Sequence, residues 1–189
     1  MPDPTTPTRD RYRGALLGLA AGDALGTTLE FHPPGTFTPI DDMVGGGPFH
    51  LNPGEWTDDT SMALCLAESL VERAGFDAVD QLERYVRWRR DGHLSSNGRC
   101  FDVGTAVSAA LARFERTREP WCGSTDPHTA GNGSLMRLAP VVLAHAHTAR
   151  GVAIDATTPF PRWDGAPLDA HFAVQALLAA AGGGATHGA

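Results

Sequence analysis

The 189-residue chain carries 22 acidic and 15 basic side chains, which gives a formal net charge of −7. Its length allows one domain with a sizeable buried core. The acidic balance argues against a nucleic-acid surface, because clustered Lys and Arg supply most of the non-specific affinity for phosphate backbones.

The N-terminal segment 1–8 is rich in Pro and Thr and is predicted to be flexible, ahead of a single domain over residues 9–189. No basic segment precedes an apolar one there, and the apolar stretch Ala15–Ala21 is too short to span a bilayer. The three cysteines are far apart and form no CxxC pair, so neither a disulfide framework nor a cysteine zinc site is indicated. We therefore expect a cytoplasmic protein that does not contact a membrane.

A first helix is predicted directly after this segment. Glycines recur every four residues from Gly14 to Gly26 on one of its faces, which would let a second backbone approach closely. Another face carries Tyr12, Leu16 and Leu19 and is extended by Asp23. Because an unpaired buried charge is costly, we expect the Asp23 carboxylate to be buried with hydrogen-bond partners.

A long segment rich in Pro and Gly follows, from Phe31 to Glu55, and such loops are often lids or binding loops. Glu30 stands where the first helix gives way to this loop. Its carboxylate is either a mobile acid or base at the mouth of a cleft or a solvated loop residue.

Thr57 is predicted to be the N-cap of a second helix that runs to about Arg73, with Asp58 and Asp59 in its first turn. Two acids at the positive end of a helix dipole are ordinary stabilisation. Adjacent side chains on a helix also diverge by about 100°, so one carboxylate can face inward and the other sideways toward a shared cation. Oxygen ligands of this kind suit Mg²⁺ or Mn²⁺ rather than zinc. The pattern by itself leaves both interpretations open.

Periodic apolar residues and helix-stop residues predict four more helices. They cover residues 77–90, a segment that begins near residue 102, residues 135–146 with a bend or restart at Pro140, and residues 168–181. In the first of these, Val79, Leu82 and Val86 are predicted to point inward. No segment alternates like a strand, so the predicted fold class is all-α.

The segment Gly131–Arg137 stands immediately before one of these helices. Its glycines would let backbone N–H groups converge on an anion, and Ser134 and Arg137 could add donors. The alternative is a Gly/Asn turn followed by a Ser cap. Asp102 is likewise either a helix cap or a carboxylate that lies at the same level as the ends of the neighbouring helices.

Three motifs occur in a fixed order along the chain. Gly14–Gly26 contains Gly-Asp-Ala-Leu-Gly, Pro53–Met62 contains Trp-Thr-Asp-Asp-Thr, and Gly131–Arg137 is Gly-Asn-Gly-Ser-Leu-Met-Arg. Together they resemble the ADP-ribosylglycohydrolase family, which includes the dinitrogenase reductase-activating glycohydrolases. The resemblance implies a compact all-α domain with two Mg²⁺ or Mn²⁺ ions in a central cleft, which cleaves the glycosidic bond between ADP-ribose and an acceptor.

The same resemblance implies roles for individual residues. Thr57, Asp58 and Asp59 match metal ligands of the family. Glu30 matches the acid after the Gly-Asp-Ala-Leu-Gly motif, and Asp102 matches the Asp of an Asp-Ile-Gly segment, so these two are the candidate catalytic residues. The candidate residues for binding the ribose and diphosphate are Gly131, Asn132, Gly133, Ser134, Met136 and Arg137.

The chain departs from the family pattern after Arg137. The family's late Gly-Asp-x-Asp-Thr motif, which supplies its other metal ligands, is absent, and we expect a domain shortened on its C-terminal side. Apolar faces left uncovered by the shortening would favour association. Two functions are compatible with this pattern: a hydrolase acting on ADP-ribosylated proteins or small ADP-ribose derivatives, and a non-catalytic ADP-ribose-binding or structural remnant of the family.

Overall fold

The computed structural model describes residues 6–145, and regular structure within this range is helical. The helices are α1 (Thr6–Gly26), α2 (Asp58–Glu72), α3 (Ala78–Asp91), α4 (Thr105–Thr117), α5 (Gly133–Met136) and α6 (Ala139–His145). Short 3-10 turns occur at Thr27–Leu29 and Pro127–Thr129. The one strand-like pairing in this part of the chain is an isolated bridge between Gly46 and Leu51. The predicted all-α fold class is therefore confirmed.

Most predicted helix ends agree with the observed ones. Asp77 caps α3 by accepting hydrogen bonds from the N–H groups of Val79 and Asp80, and Gly92 ends it with a left-handed φ of 67°. The predicted break at Pro140 is observed as a new helix that starts at Ala139. The predicted helix over residues 168–181 lies outside the described range.

Helix α1 differs from expectation in two respects. It begins at Thr6, inside the segment 1–8 that the sequence predicts to be flexible. The glycine face from Gly14 to Gly26 receives no second backbone among the described residues, since a Cβ on any of its four glycines would meet no atom within 4 Å. Leu17 is 68% exposed, and Ala24 is the single buried side chain among residues 9–26. Much of α1 is therefore uncovered within residues 6–145.

Helix α2 forms the centre of the core. It packs against α1, α3, α5 and α6, and it carries no charged residue from Thr60 to Ala67. Burial of apolar side chains from three helices stabilises this arrangement. The buried cluster consists of Met62, Cys65, Leu66, Leu70, Tyr85, Trp88 and Leu111. No helix of residues 6–145 is long and apolar enough to cross a membrane.

The inward face of α3 was predicted wrongly at Val79, which is 39% exposed. The large aromatic side chains of Tyr85 and Trp88 occupy the core instead, and Leu82 and Val86 pack at its edge. The buried face also contains polar residues, which a count of aliphatic side chains overlooks. These are Asp80, Gln81 and Arg84.

Arg84 is the hub of a buried ion network between α2 and α3. Its Nε lies 2.6 Å from Asp80 Oδ2 and its Nη2 lies 2.7 Å from Glu72 Oε2, while Nη1 contacts Glu68. Hydrogen bonding to Arg84 holds the pKa of Asp80 well below its usual range. A carboxylate and a guanidinium that are both about 95% buried therefore neutralise each other inside the fold.

Replacing Arg84 should lower the free energy of unfolding more than replacing an exposed arginine does. Arg84→Met leaves Asp80 buried without its main partner, and breaking a buried pair in this way costs about 3–5 kcal/mol. Arg116→Met, at an exposed position on α4, should cost less than about 0.5 kcal/mol. Urea unfolding followed by circular dichroism measures both, and similar midpoints for the two variants would contradict the role given to the network.

Candidate functional site

Asp23 of α1 caps the N-terminus of α2 from a neighbouring helix. Both of its carboxylate oxygens accept from the Thr57 N–H at 3.0 Å, and Oδ2 accepts from the Thr60 N–H at 3.1 Å. The Thr57 and Thr60 hydroxyls donate to the same carboxylate at 2.8 and 2.7 Å. Thr57 does hold the N-cap position, as predicted, but its side chain makes no capping hydrogen bond. Asp23 is half-buried rather than buried as predicted, and the partners expected for it are the first residues of α2.

The segment that carries Thr57 and Asp58 is held from several sides. Ser96 Oγ donates to the Trp56 carbonyl and Ser61 Oγ donates to the Thr57 carbonyl, each at 2.7 Å. Thr57 and Asp58 are buried, with exposures of 4% and 6%, whereas the next residue, Asp59, is half-buried. The two acids therefore differ in their exposure to solvent.

The two candidate catalytic acids, Glu30 and Asp102, are brought together. Their side chains are hydrogen-bonded to one another, although Glu30 follows the turn after α1 and Asp102 precedes α4. Asp102 is not the cap of α4, because Gly104 occupies that position. Its φ of 56° is left-handed, which is uncommon for a residue other than glycine. The interpretation of Asp102 as a helix cap is therefore wrong.

The four carboxyls hold protons more tightly than free carboxyls do. Burial, with added repulsion from Asp102 and Asp59, raises the pKa of Asp58 to about 8. Burial and the neighbouring Glu30 raise the pKa of Asp102 to about 7, and burial also raises the pKa values of Glu30 and Asp59. The charges that act most strongly on these four groups are one another and Asp23.

Within each pair of carboxyls a hydrogen bond contributes to the pKa shifts. The bond between Asp58 and Asp59 raises the pKa of Asp58 and counteracts the rise for Asp59. The bond between Asp102 and Glu30 raises the pKa of Asp102 and counteracts the rise for Glu30. Because two ionised carboxylates cannot donate to each other, a hydrogen bond within either pair requires a shared proton.

The chemistry of these side chains fits a hard cation. The acids and the Thr57 hydroxyl offer oxygen atoms only, which Mg²⁺ prefers, and protons occupy positions that a cation could replace. Within residues 6–145 no three His, Cys, Asp or Glu side chains form a complete metal-binding group. The residues therefore match a cation by donor type and leave its coordination sphere incomplete.

Arg137 lies against the core instead of reaching freely into the site. Its guanidinium stacks 4.8 Å from the centre of the Tyr85 ring, and its Nη1 donates to Met62 Sδ at 3.5 Å. Met62 is one helical turn after Asp58. The predicted anion-binding segment is thus brought to α2 close to the acids, with its arginine engaged in a cation–π contact.

The rest of this segment forms the single turn α5. Asn132, not Ser134, occupies the N-cap position, so the alternative of a Ser cap is wrong. The carbonyl of Asn132 accepts from the N–H groups of Leu135 and Met136. Gly133 has no room for a side chain, since a Cβ would lie 2.8 Å from Val107 Cγ2. Gly131 and Asn132 are exposed, Ser134 and Met136 are half-buried, and none of the four has a described contact with the acids.

Three aromatic residues at the site were not singled out from the sequence. The Phe49 ring lies 6.4 Å from Phe31 and 5.5 Å from Phe101. Phe31 follows Glu30 and Phe101 precedes Asp102, so Phe49 links the two segments that carry the candidate catalytic acids. Adjacency of an aromatic residue to each acid was the available sequence signal.

The glycine-rich part of the long loop packs on the turn before Glu30. Gly46 and Leu51 exchange backbone hydrogen bonds at 2.7 and 3.0 Å, and Thr28 Oγ1 donates to the Gly45 carbonyl. A Cβ on Gly47 would lie 2.8 Å from the Thr27 carbonyl oxygen. The absence of a side chain at Gly47 therefore permits this close approach.

A model of the ADP-ribosylglycohydrolase family matches residues 4–184. The chain belongs to this family. Its membership confirms the resemblance carried by the three motifs, and the Gly-Asp-Ala-Leu-Gly and Trp-Thr-Asp-Asp-Thr motifs are the two that meet through the hydrogen bonds of Asp23.

Several named glycohydrolases are similar to this family member. ADP-ribosylarginine hydrolase Tri1 of Pseudomonas putida is 55% identical over 139 residues, which cover 74% of this chain and 37% of the relative. ADP-ribosyl-[dinitrogen reductase] glycohydrolase of Rhodospirillum rubrum is 37% identical over 142 residues, covering 71% of this chain and 45% of the relative. Human ADP-ribosylhydrolase ARH3 is 30% identical over 147 residues, covering 72% and 40%.

A solved structure described as an ADP-ribosylglycohydrolase-related protein complex has the same fold. It is 43% identical in sequence with a TM-score of 0.63, and the match covers 92% of this chain and 54% of that one. The chain thus spans less than half the length of the three glycohydrolases above.

Without metal, the protein should lose stability as the pH rises from about 4 to about 8. The pKa of Asp58 is raised from 3.8 to about 8, so in this window the folded state keeps a proton that the unfolded state has released. This contribution is fully present below the unfolded pKa and is lost as the pH passes the folded one. Asp58→Asn cannot ionise, so its stability relative to the parent should rise by about 1 kcal/mol or more between about pH 5 and about pH 8.

Urea unfolding in EDTA at both pH values measures this difference. Asp91→Asn, at an exposed position at the end of α3, is the control and should follow the parent protein. A constant difference between Asp58→Asn and the parent would contradict the raised pKa of Asp58.

Gly46→Ala and Gly47→Ala should separate backbone strain from loss of the close approach. Both glycines have positive φ, at 81° and 63°, so each alanine costs about 1–2 kcal/mol. A Cβ on Gly46 meets nothing within 4 Å, whereas one on Gly47 meets the turn before Glu30. Gly47→Ala should cost about 1–3 kcal/mol more in thermal or chemical unfolding. Equal losses would show that the loop does not press on this turn.

Proposed function

We propose that the chain carries the acidic part of a Mg²⁺- or Mn²⁺-dependent hydrolase that releases ADP-ribose from ADP-ribosylated substrates. The observation that carries the proposal is the hydrogen-bonded pair Glu30 and Asp102, which interacts electrostatically with the Asp58 and Asp59 pair at the start of α2. Family membership and the hydrolase names of its relatives support this function.

Thr57, Asp58 and Asp59 are the residues that would hold the cation. Support comes from their oxygen donors and from the raised pKa values of both acids, since a divalent cation would replace the protons that the buried carboxyls otherwise retain. When bound, such an ion orients hydroxyl groups of the ribose and lowers the pKa of a coordinated water.

Glu30 and Asp102 have different roles in the proposed reaction. Cleavage at the anomeric carbon develops positive charge on the ribose, which nearby carboxylates stabilise. We assign Glu30 as the general base that accepts a proton from the attacking water, since burial and nearby acids raise its pKa. Burial and the neighbouring Glu30 raise the pKa of Asp102 to about 7, and we assign Asp102 as the residue that orients the Glu30 carboxylate.

ADP-ribosylarginine is the substrate that we propose. The relatives from Pseudomonas putida and Serratia proteamaculans, at 55% and 53% identity, are both named ADP-ribosylarginine hydrolases. An acidic site also attracts a guanidinium group, which forms strong charge-assisted hydrogen bonds with carboxylates. We place the reaction in the cytoplasm, where the three free cysteines stay reduced.

Binding of ADP-ribose without cleavage is the second candidate. One observation favours it: the acids described between residues 6 and 145 do not form a complete metal-binding group. Calorimetry with ADP-ribose, with and without Mg²⁺, distinguishes the two functions. Metal-dependent binding supports the hydrolase, and metal-independent binding supports the binding module.

The purified chain should release ADP-ribose from ADP-ribosylarginine in Mg²⁺, and EDTA should abolish the release. Glu30→Gln should lower kcat by about 10²–10⁴-fold, because the general base is lost, and Asp102→Ala should lower kcat because the Glu30 carboxylate loses its hydrogen-bond partner. Chromatography of released ADP-ribose measures the rate, with the exposed variant Asp91→Asn as the matched control. Undiminished rates in both variants would refute the roles of Glu30 and Asp102, and no release by the parent chain would refute its hydrolase activity.

A further inference from the structure

Asp23 makes more hydrogen bonds than any ordinary cap requires, and two of them come from threonine hydroxyls. We propose that Asp23 is a positioning residue that takes the hydroxyl proton of Thr57, so that Thr57 Oγ1 offers lone pairs to a bound cation. The inference rests on the proposed metal site, and it assigns to the Gly-Asp-Ala-Leu-Gly motif a part in building that site.

The direction of the Thr57 hydroxyl follows from two distances. A threonine hydroxyl has one proton and two lone pairs, and it rotates toward the better acceptor. Thr57 Oγ1 lies 2.8 Å from Asp23 Oδ1 and 3.5 Å from Asp58 Oδ1. Since hydrogen bonds between oxygens are normally 2.5–3.0 Å long, Asp23 takes the proton. The lone pairs of Thr57 Oγ1 then remain available on the side of the hydroxyl that faces Asp58.

Asp23 is itself unsuited to bind the cation. An ionised carboxylate has about four lone-pair positions, and those of Asp23 already accept from two N–H groups and two hydroxyls. Its oxygens are therefore occupied by Thr57 and Thr60. This saturation makes Asp23 a support for the ligand residues rather than a ligand.

Asp23→Asn tests the inference with almost no change in shape. The amide has one oxygen acceptor and one nitrogen donor, so it cannot accept from all four groups and would donate to a threonine oxygen. Loss of such an outer hydrogen-bond partner typically lowers metal affinity about 10–100-fold. We expect a loss of this size when the full chain is titrated with Mn²⁺ and free Mn²⁺ is followed by electron paramagnetic resonance.

Two variants control for charge and stability. Asp10→Asn removes an exposed acid from the same helix and should leave Mn²⁺ affinity unchanged. Thr60→Val removes one hydrogen bond to Asp23 and leaves the Thr57 hydroxyl in place, so it should lower the unfolding midpoint while keeping the affinity. Equal losses of Mn²⁺ affinity in Thr60→Val and Asp23→Asn would overturn the inference, because Asp23 would then act through stability alone.

A double-mutant cycle separates hydroxyl orientation from simple charge. In a Thr57→Val background the hydroxyl is gone, so adding Asp23→Asn should weaken Mn²⁺ binding no further. A full additional loss there would overturn the inference in favour of a charge effect. If Asp23→Asn does not fold, Asp23→Glu replaces it: the carboxylate is kept but moved by one methylene, and unchanged Mn²⁺ affinity would again overturn the inference.

The outcome also separates this inference from the proposed function. Mn²⁺ binding by the parent chain together with unchanged binding by Asp23→Asn refutes the positioning role and leaves the metal site standing. No Mn²⁺ binding by the parent chain refutes the metal site, and the positioning role falls with it.

Discussion

Buried negative charge around the first turn of α2 is the constraint on which the site depends. Taking a carboxylate out of water is costly unless hydrogen bonds, protons or cations compensate it. Asp23 is compensated by the N–H groups and hydroxyls at the start of the helix, where the helix dipole also favours negative charge. The two hydrogen-bonded carboxyl pairs are Asp58 with Asp59 and Asp102 with Glu30, and retained protons compensate their negative charge.

The neighbouring helix α3 shows what a purely structural solution looks like. In its first turn Asp80 is buried to a similar degree as Asp58, but Arg84 pairs with it and holds its pKa low. The pKa of Asp58 is instead raised, and its strongest charged neighbours are Asp102 and Asp59. One buried acid is thus neutralised by arginine and the other is not, and this difference supports the proposal that the second cluster binds a cation.

Most of the fold could be predicted because it depends on local pattern. Helix periodicity and stop residues such as Gly92 and Pro140 gave nearly correct boundaries, whereas Val79 was misassigned because aromatic and polar residues fill the inward face of α3. The site could be predicted only in its parts. The motifs indicated which acids matter, but the meeting of Asp23 with Thr57 and of Glu30 with Asp102 is tertiary, and no local pattern specifies it.

The two halves of the site differ in how firmly they are held. The acids of α2 belong to a regular helix whose start is fixed by Asp23, while Glu30 and Asp102 lie in irregular backbone, each beside a residue of the Phe49 aromatic contacts. The left-handed φ at Phe31 and at Asp102 shows that surrounding packing, not intrinsic preference, maintains this geometry. A movement of the long loop would therefore change the distance between Glu30 and Asp102, and with it the pKa of both, without disturbing Thr57 and its neighbours. The pair that contains the proposed base is thus the adjustable part of the site, and the residues that match metal ligands are the fixed part.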